Sequence, residues 1–230
     1  MKKTLTLLAA GVALAALPAL ALAQGAHPNF TGVWTAAPYT GALKPADGKP
    51  IPFKPEAKAQ YDKHLAAAKK GDTSWDPARE CLPEGLPRLM IVNEPFEIMQ
   101  RDKAVYFVAQ NRVPWKAFFD EQLPTDEDPF YMGYSVAKWQ GPTLVVDSSG
   151  FRDITMLDDK GIPHTEQLHL TTKFHLGKGG KTLTASYTIT DPGAFTRPWT
   201  ATATFAKKPA SFQMPEEVCA EKLATTAPKG

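Results

Sequence analysis

The chain has 230 residues, 43% of them hydrophobic and 22% charged, with 26 basic against 24 acidic side chains. That balance provides no basic field for nucleic acid and no acidic tail, while the length allows one domain with a sizeable core. An exported protein acting on a small molecule is the class left standing.

The first residues read as a secretory signal. Lys2 and Lys3 precede an apolar run over residues 5–22, broken by Pro18 and ending in the small-residue cleavage site Ala21-Leu22-Ala23. Cleavage before Gln24 predicts a periplasmic or secreted protein, with residues 24–230 forming a single β-barrel domain. Removing Lys2 and Lys3 makes the remaining basic residues equal in number to the 24 acidic ones. No later apolar run is long enough for a membrane-spanning helix. Cys81 and Cys219, in an oxidising compartment, are expected to pair, closing a long loop worth about 4–5 kcal/mol in the chain-entropy picture.

Residues 29–35, Asn-Phe-Thr-Gly-Val-Trp-Thr, read as a first strand with Phe30, Val33 and Trp34 toward a core. A Gly-x-Trp on a first strand resembles the opening of lipocalin-type barrels. Residues 36–55 are rich in Pro and Gly and read as a surface loop. Pro55 opens a helix on which Ala57, Tyr61, Leu65 and Ala68 recur at helical spacing, and Gly71 is its stop. His64 on this helix reads as a surface residue. Residues 72–92 read as loop, with Arg88 as its one candidate for a binding role.

From Glu94 the texture becomes β. Residues 96–100 and 103–109 form a hairpin, 115–119 a further strand, and 124–129 an acidic loop. Residues 133–139 and 143–147 pair across Gln140-Gly141-Pro142, residues 165–176 and 182–190 pair across 177–181, and 200–205 is the last strand. About nine strands joined mostly by short turns, with one helix near the N-terminus, predict a mainly β fold. The expected architecture is an antiparallel, lipocalin-like (calycin-type) barrel of about eight to ten strands, with a sandwich as the alternative.

Residues 133–170 concentrate the reactive side chains. Leu168, Leu170, Phe174 and Leu176 share one strand face, and the same register extended backwards turns His164 and Glu166 inward and His169 outward, unless a bulge intervenes. A His beside a carboxylate suits general acid/base chemistry. His164 is therefore the candidate catalytic group, with Glu166, Asp153, Asp147 and His169 as catalytic partners. Alternation places Asp147 on the face of Val145. Tyr134, Trp139, Arg88 and Phe151 are candidate ligand-binding residues, and Tyr131, Phe174, Tyr187, Trp199, Met90, Met99 and Met156 are further aromatic or flexible residues for a core or an apolar cavity. His164, His169 and one of Asp153, Asp158 or Glu166 form an alternative divalent-metal set, but His-x4-His places two rings on opposite sides of a strand. No cofactor is expected. Ser148 and Ser149 lie outside any Gly-x-Ser-x-Gly elbow, which leaves a serine hydrolase without support.

One ordered set of motifs spans nearly all of residues 24–230: Asn-Phe-Thr-Gly-Val-Trp (29–34), Asp-Pro-x3-Cys-x-Pro-x-Gly-x-Pro-Arg (76–88), Pro-Phe-Glu-Ile (95–98), Thr-Leu-Val-Val-Asp-x2-Gly-Phe-x-Asp (143–153), Leu-Asp-x2-Gly-x-Pro-His (157–164) and Asp-Pro-x3-Thr-x-Pro-Trp (191–199). It resembles a largely uncharacterised family of exported bacterial proteins with a lipocalin-like β-barrel appearance. The resemblance implies the barrel and no particular activity. Family members carry Gly-Asp-Thr-Leu and Leu-His-x2-Glu-Arg-Phe where this chain has Gly141-Pro142-Thr143-Leu144 and Leu168 to Phe174 with Thr172, so a family carboxylate is missing.

Two functions follow. The first is a cofactor-independent isomerase, hydratase/lyase or lactone-type hydrolase acting on an apolar cyclic or aromatic compound. His164 would move the proton, Asp153 or Glu166 would orient it, and Tyr134 or Arg88 would hold an oxyanion. The second is a non-catalytic carrier of a small hydrophobic ligand. Density of titratable groups places the enzyme slightly ahead. Neither reading involves nucleic acid or a membrane span after signal cleavage, and neither specifies an oligomeric state.

Overall fold

A computed structural model describes residues 27–110, 112–216 and 218–219. The proposed signal segment lies outside them. Nine strands close into one barrel in sequence order: β1 (Gly32–Ala36), β2 (Phe96–Gln100), β3 (Ala104–Ala109), β4 (Trp115–Phe119), β5 (Tyr134–Gln140), β6 (Thr143–Ser149), β7 (His169–Leu176), β8 (Thr182–Thr190) and β9 (Trp199–Lys207). Helix α1 (Pro55–Lys69) and the one-turn helix α2 (Arg88–Ile91) lie between β1 and β2. The mainly β barrel with an early helix is the architecture the sequence predicts. Among the described residues no helix is long and apolar enough to cross a membrane.

The expectation of a wholly antiparallel barrel needs one correction. All neighbours pair antiparallel except β4 and β5, which run parallel. Parity requires it. Going once round a closed barrel, strand direction must return to its starting sense, so antiparallel junctions come in even number and nine junctions need at least one parallel. The chain places that junction where residues 120–133 are long enough to carry it back to the same end, as a parallel pair demands.

Alternation sorts the strands into two faces. Phe96, Phe107, Trp115, Phe174, Tyr187 and Phe205 point inward and are buried. The small residues Ala117, Ser135, Ser148, Ala185 and Ala201 fill between them, also buried. These buried side chains pack on one another as one core.

The Pro-rich stretch after α1 is not a surface loop. Residues 84–92 are buried, and Leu86, Leu89, Met90 and Ile91 join the barrel core. A turn from Pro77 to Glu80, N-capped by the Asp76 carboxylate, precedes it. Cys81 then forms the predicted disulfide with Cys219, 138 positions away. His64 is also a correction. It lies seven positions after Ala57, on the inward side of α1, and is buried with Nδ1 2.8 Å from the Gly161 carbonyl and its ring stacked on Trp75.

Candidate functional site

The parallel junction is the weak line of the barrel. Pairing between β4 and β5 is confined to Phe118↔Val136 and Phe119↔Ala137. Ahead of those pairs no ladder joins the strands, and an apolar groove of about 430 Å3 occupies the outer side of the seam. Lys116 and Phe118 of β4 and Tyr134 and Val136 of β5 supply its wall, because even positions on both strands face outward. Residues 121–122, Pro124 and 130–133 of the crossover, with Pro83, Val113 and Pro114, complete it.

Two of its residues stay unusually bare for their chemistry. Phe130 is 53% exposed and Val113 49%. The strand-to-strand crossover is held by Phe130 N–H donating to the Gly150 carbonyl (2.9 Å) and Arg152 N–H donating to the Phe130 carbonyl (3.0 Å). Gly133 immediately precedes β5 at φ +61°, and a Cβ there would lie 2.6 Å from the Ser149 carbonyl, so the close approach of the crossover to β6 needs glycine. Phe130 packs edge-on against Tyr134 at 5.2 Å, and the Arg152 guanidinium lies 4.9 Å from the centre of the Tyr131 ring.

The groove reaches the barrel wall at Ser135, whose hydroxyl closes the seam from inside. Trp115 Nε1–H donates to Ser135 Oγ (2.8 Å), and Ser135 Oγ lies 2.7 Å from Ser148 Oγ. A buried ion cluster is attached to the opposite wall. Glu84, next to Pro83, pairs with Arg112, next to Val113, at 2.7 Å, and Arg112 also meets Glu94 at 3.0 Å. Glu84 is 3% exposed and its Oε2 has no hydrogen-bond partner among the described residues. Burial pushes its carboxyl up to about 7; Arg112 and Arg88 pull it down, less strongly, and Glu94 and Asp159 push with burial.

The residues singled out from sequence are dispersed. Tyr134 lines the groove, donating from Oη to the Asp128 carbonyl at 3.2 Å. Trp139 points to the inner side, stacked between His27 (4.4 Å) and Phe30 (5.6 Å). Phe151 is fully buried in the core, 6.2 Å edge-on from the His164 ring. Arg88 is buried in a bidentate pair with Asp76 (2.7 Å twice) and a third bond to Asp159 (2.9 Å). Burial alone would lower its pKa, but the carboxylates of Asp76, Glu84 and Asp159 hold it above the usual arginine value.

His164 is buried but Glu166 is exposed, so the β7 register does not extend back to them. The Leu168 N–H bonds back to the Thr165 carbonyl (3.1 Å), a turn that breaks the alternation before β7 begins at His169. Both ring nitrogens of His164 are engaged. Nδ1 lies 2.9 Å from the Thr165 carbonyl and Nε2 2.7 Å from Thr155 Oγ1. A carbonyl only accepts, so Nδ1 carries the proton and Nε2 accepts from the threonine hydroxyl. Burial, opposed by that carbonyl and by Asp191 and Asp153, lowers the imidazole pKa and keeps it neutral. Asp153 is exposed. Asp147 and His169 meet on the outer face at 3.7 Å, with Thr171 Oγ1 donating to Asp147 at 2.7 Å and Lys138 at 3.6 Å. Asp158, weighed as a metal ligand, accepts backbone N–H groups of Leu43, Lys160 and Ile162 and ties two loops together. Burial nonetheless pushes its carboxyl up to about 6. Among the described residues no group of three or more His, Cys, Asp or Glu side chains converges as metal ligands would.

Sequence reasoning missed the groove because a splayed seam has no local signature. Its one legible trace was the length and acidity of residues 120–133. Comparison with known proteins finds no matching family model, no matching curated protein and no matching solved structure.

Proposed function

We propose that the chain is a non-catalytic, exported carrier of one small hydrophobic ligand, held in the groove on the β4–β5 seam. The observation that carries this reading is the groove itself: about 430 Å3, within the range of sites for small organic molecules, walled by apolar side chains and leaving Phe130 and Val113 half bare. Exposed apolar surface concentrated in a concavity is costly unless something occupies it. Residence outside the cytoplasm is supported by the Cys81–Cys219 disulfide and by the signal-like segment in the sequence. Kinship with the exported bacterial family rests on the ordered motifs. Acid–base chemistry at His164 has little support because both ring nitrogens are already bound within the protein.

The test is titration with N-phenyl-1-naphthylamine, a neutral apolar fluorophore. The native chain is expected to saturate at one probe per chain. Phe130→Ala, at a half-exposed site, is expected to weaken binding about fivefold, in line with the burial energy of a large side chain, and Phe118→Asp to abolish it with an unchanged circular-dichroism spectrum. Binding that is indifferent to both substitutions would refute the assignment to the groove. Recovery of a natural ligand chemically altered after incubation would refute the carrier reading.

A further inference from the structure

The groove's rim carries information about the ligand's charge. The crossover segment holds Asp120, Glu121, Asp126, Glu127 and Asp128 and no basic residue. None of these five carboxylates has an ion-pair partner among the described residues. Glu121 lines the groove. The Tyr134 hydroxyl receives its neighbours' field directly: partial desolvation, then the charges of Glu127 and Asp128, raise its pKa. Lys116 adds one positive charge to the lining and Arg152 a second over Tyr131; against them stand Glu121 in the lining and Glu127 and Asp128 beside Tyr134, so the nearest charges sum to net negative.

Inside that rim the walls are rich in aromatic side chains. Phe118, Phe130, Tyr131 and Tyr134 all line the groove, and an aromatic face attracts a cation through its quadrupole. The arrangement already works once within the protein, where Arg152 sits 4.9 Å over Tyr131. Among the described residues no cation lies over Phe118, Phe130 or Tyr134 in this way.

Building on the carrier reading, we propose that the ligand is an organic cation, an ammonium group on an apolar body. The body lies against Val136 and the prolines, and the ammonium lies among the free aromatic rings beneath the unpaired carboxylates. A neutral ligand would use the apolar wall and leave the acidic rim unpaired, while an anion would be repelled by it. The ring faces and carboxylates act on the same charge, whose dispersed, weakly hydrated form in a substituted ammonium costs little to desolvate.

Benzyltrimethylammonium and neopentylbenzene share a shape and differ in charge, which makes them the probe pair. Calorimetric titration, or competition against N-phenyl-1-naphthylamine, is expected to give the cation at least about fivefold tighter binding than the neutral isostere. That preference should narrow to about twofold in the exposed-loop variant Glu127→Gln/Asp128→Asn and on raising the salt to 1 M. Equal binding of the two probes would overturn the cation inference and leave the carrier reading standing. Absence of binding by either probe and by the naphthylamine would overturn both. A preference untouched by Glu127→Gln/Asp128→Asn, by salt and by Tyr134→Leu would place the charge recognition elsewhere and overturn the proposal.

Discussion

Glu84 illustrates how a side chain with no motif around it becomes a titrating group inside the physiological range. It is a charged residue between two prolines, Pro83 and Pro87, in a stretch whose composition reads as exposed loop. Folding buries it, leaves one oxygen unpartnered and gives the other to Arg112. Its carboxyl, raised from an ordinary 4.5 to about 7, binds a proton more tightly in the folded than in the unfolded chain. Between those two values the native state holds more protons, so stability falls as pH rises through the window, by about 3 kcal/mol in all. Asp158, raised to about 6, adds a fall of the same sign lower in the range. His164, whose burial lowers its pKa, works in the opposite sense over the same range, but the two raised carboxyls outweigh it, so urea unfolding at pH 5 and pH 7.5 is expected to find the chain more stable at pH 5, and Glu84→Gln to remove or reverse the difference. A profile that rises with pH, or that Glu84→Gln leaves intact, would contradict this account. At the same scale the sequence misled about His64 and Glu166. Helical spacing picked Leu65 and Ala68 where Ala57, Tyr61 and His64 form the inward line, and a single turn at 165–168 ended the register on which Glu166 depended.

At the scale of elements the decisive feature is the β4–β5 seam. Two residue pairs hold it in the ladder, and the Trp115–Ser135–Ser148 hydrogen-bond chain reinforces it from inside. Ser135→Ala would leave the buried Trp115 Nε1–H without an acceptor, costing about 1–3 kcal/mol. The combined variant Trp115→Phe/Ser135→Ala removes donor and acceptor together and is expected to cost less than the sum of the two single changes in a double-mutant cycle. Strict additivity in urea denaturation would mean that the bond contributes nothing to the seam. Strand identities here were readable, since period-2 alternation marked all nine strands, most to within a residue or two of their ends. Their neighbours were not, because alternation says which face a residue takes and nothing about whether the next strand runs with it or against it.

For the whole molecule, closure and the disulfide act together. The Cys81–Cys219 bridge ties the buried segment ahead of β2 to the chain beyond β9, enclosing eight of the nine strands within its loop. The variant Cys81→Ala/Cys219→Ala is expected to lose about 2–5 kcal/mol in denaturant unfolding while keeping its β spectrum, because the constraint acts mainly on the unfolded chain. An unchanged midpoint would show that the unfolded chain is not restrained by the bridge. By itself the sequence determined the class of fold, the faces of the strands, the pairing of its only two cysteines and the presence of an acidic segment between β4 and β5. All of these follow from local periodicity, counting or composition. Tertiary structure alone decided that the large inward side chains are buried together, that His164 is bonded at both nitrogens, that the 84–92 segment is buried, and that the β4–β5 groove lies on the outer side of the wall. Those outcomes depend on which distant residues meet, on Thr155 reaching His164 and on an odd strand number forcing one parallel, splayed junction, and no window of neighbouring residues contains that information.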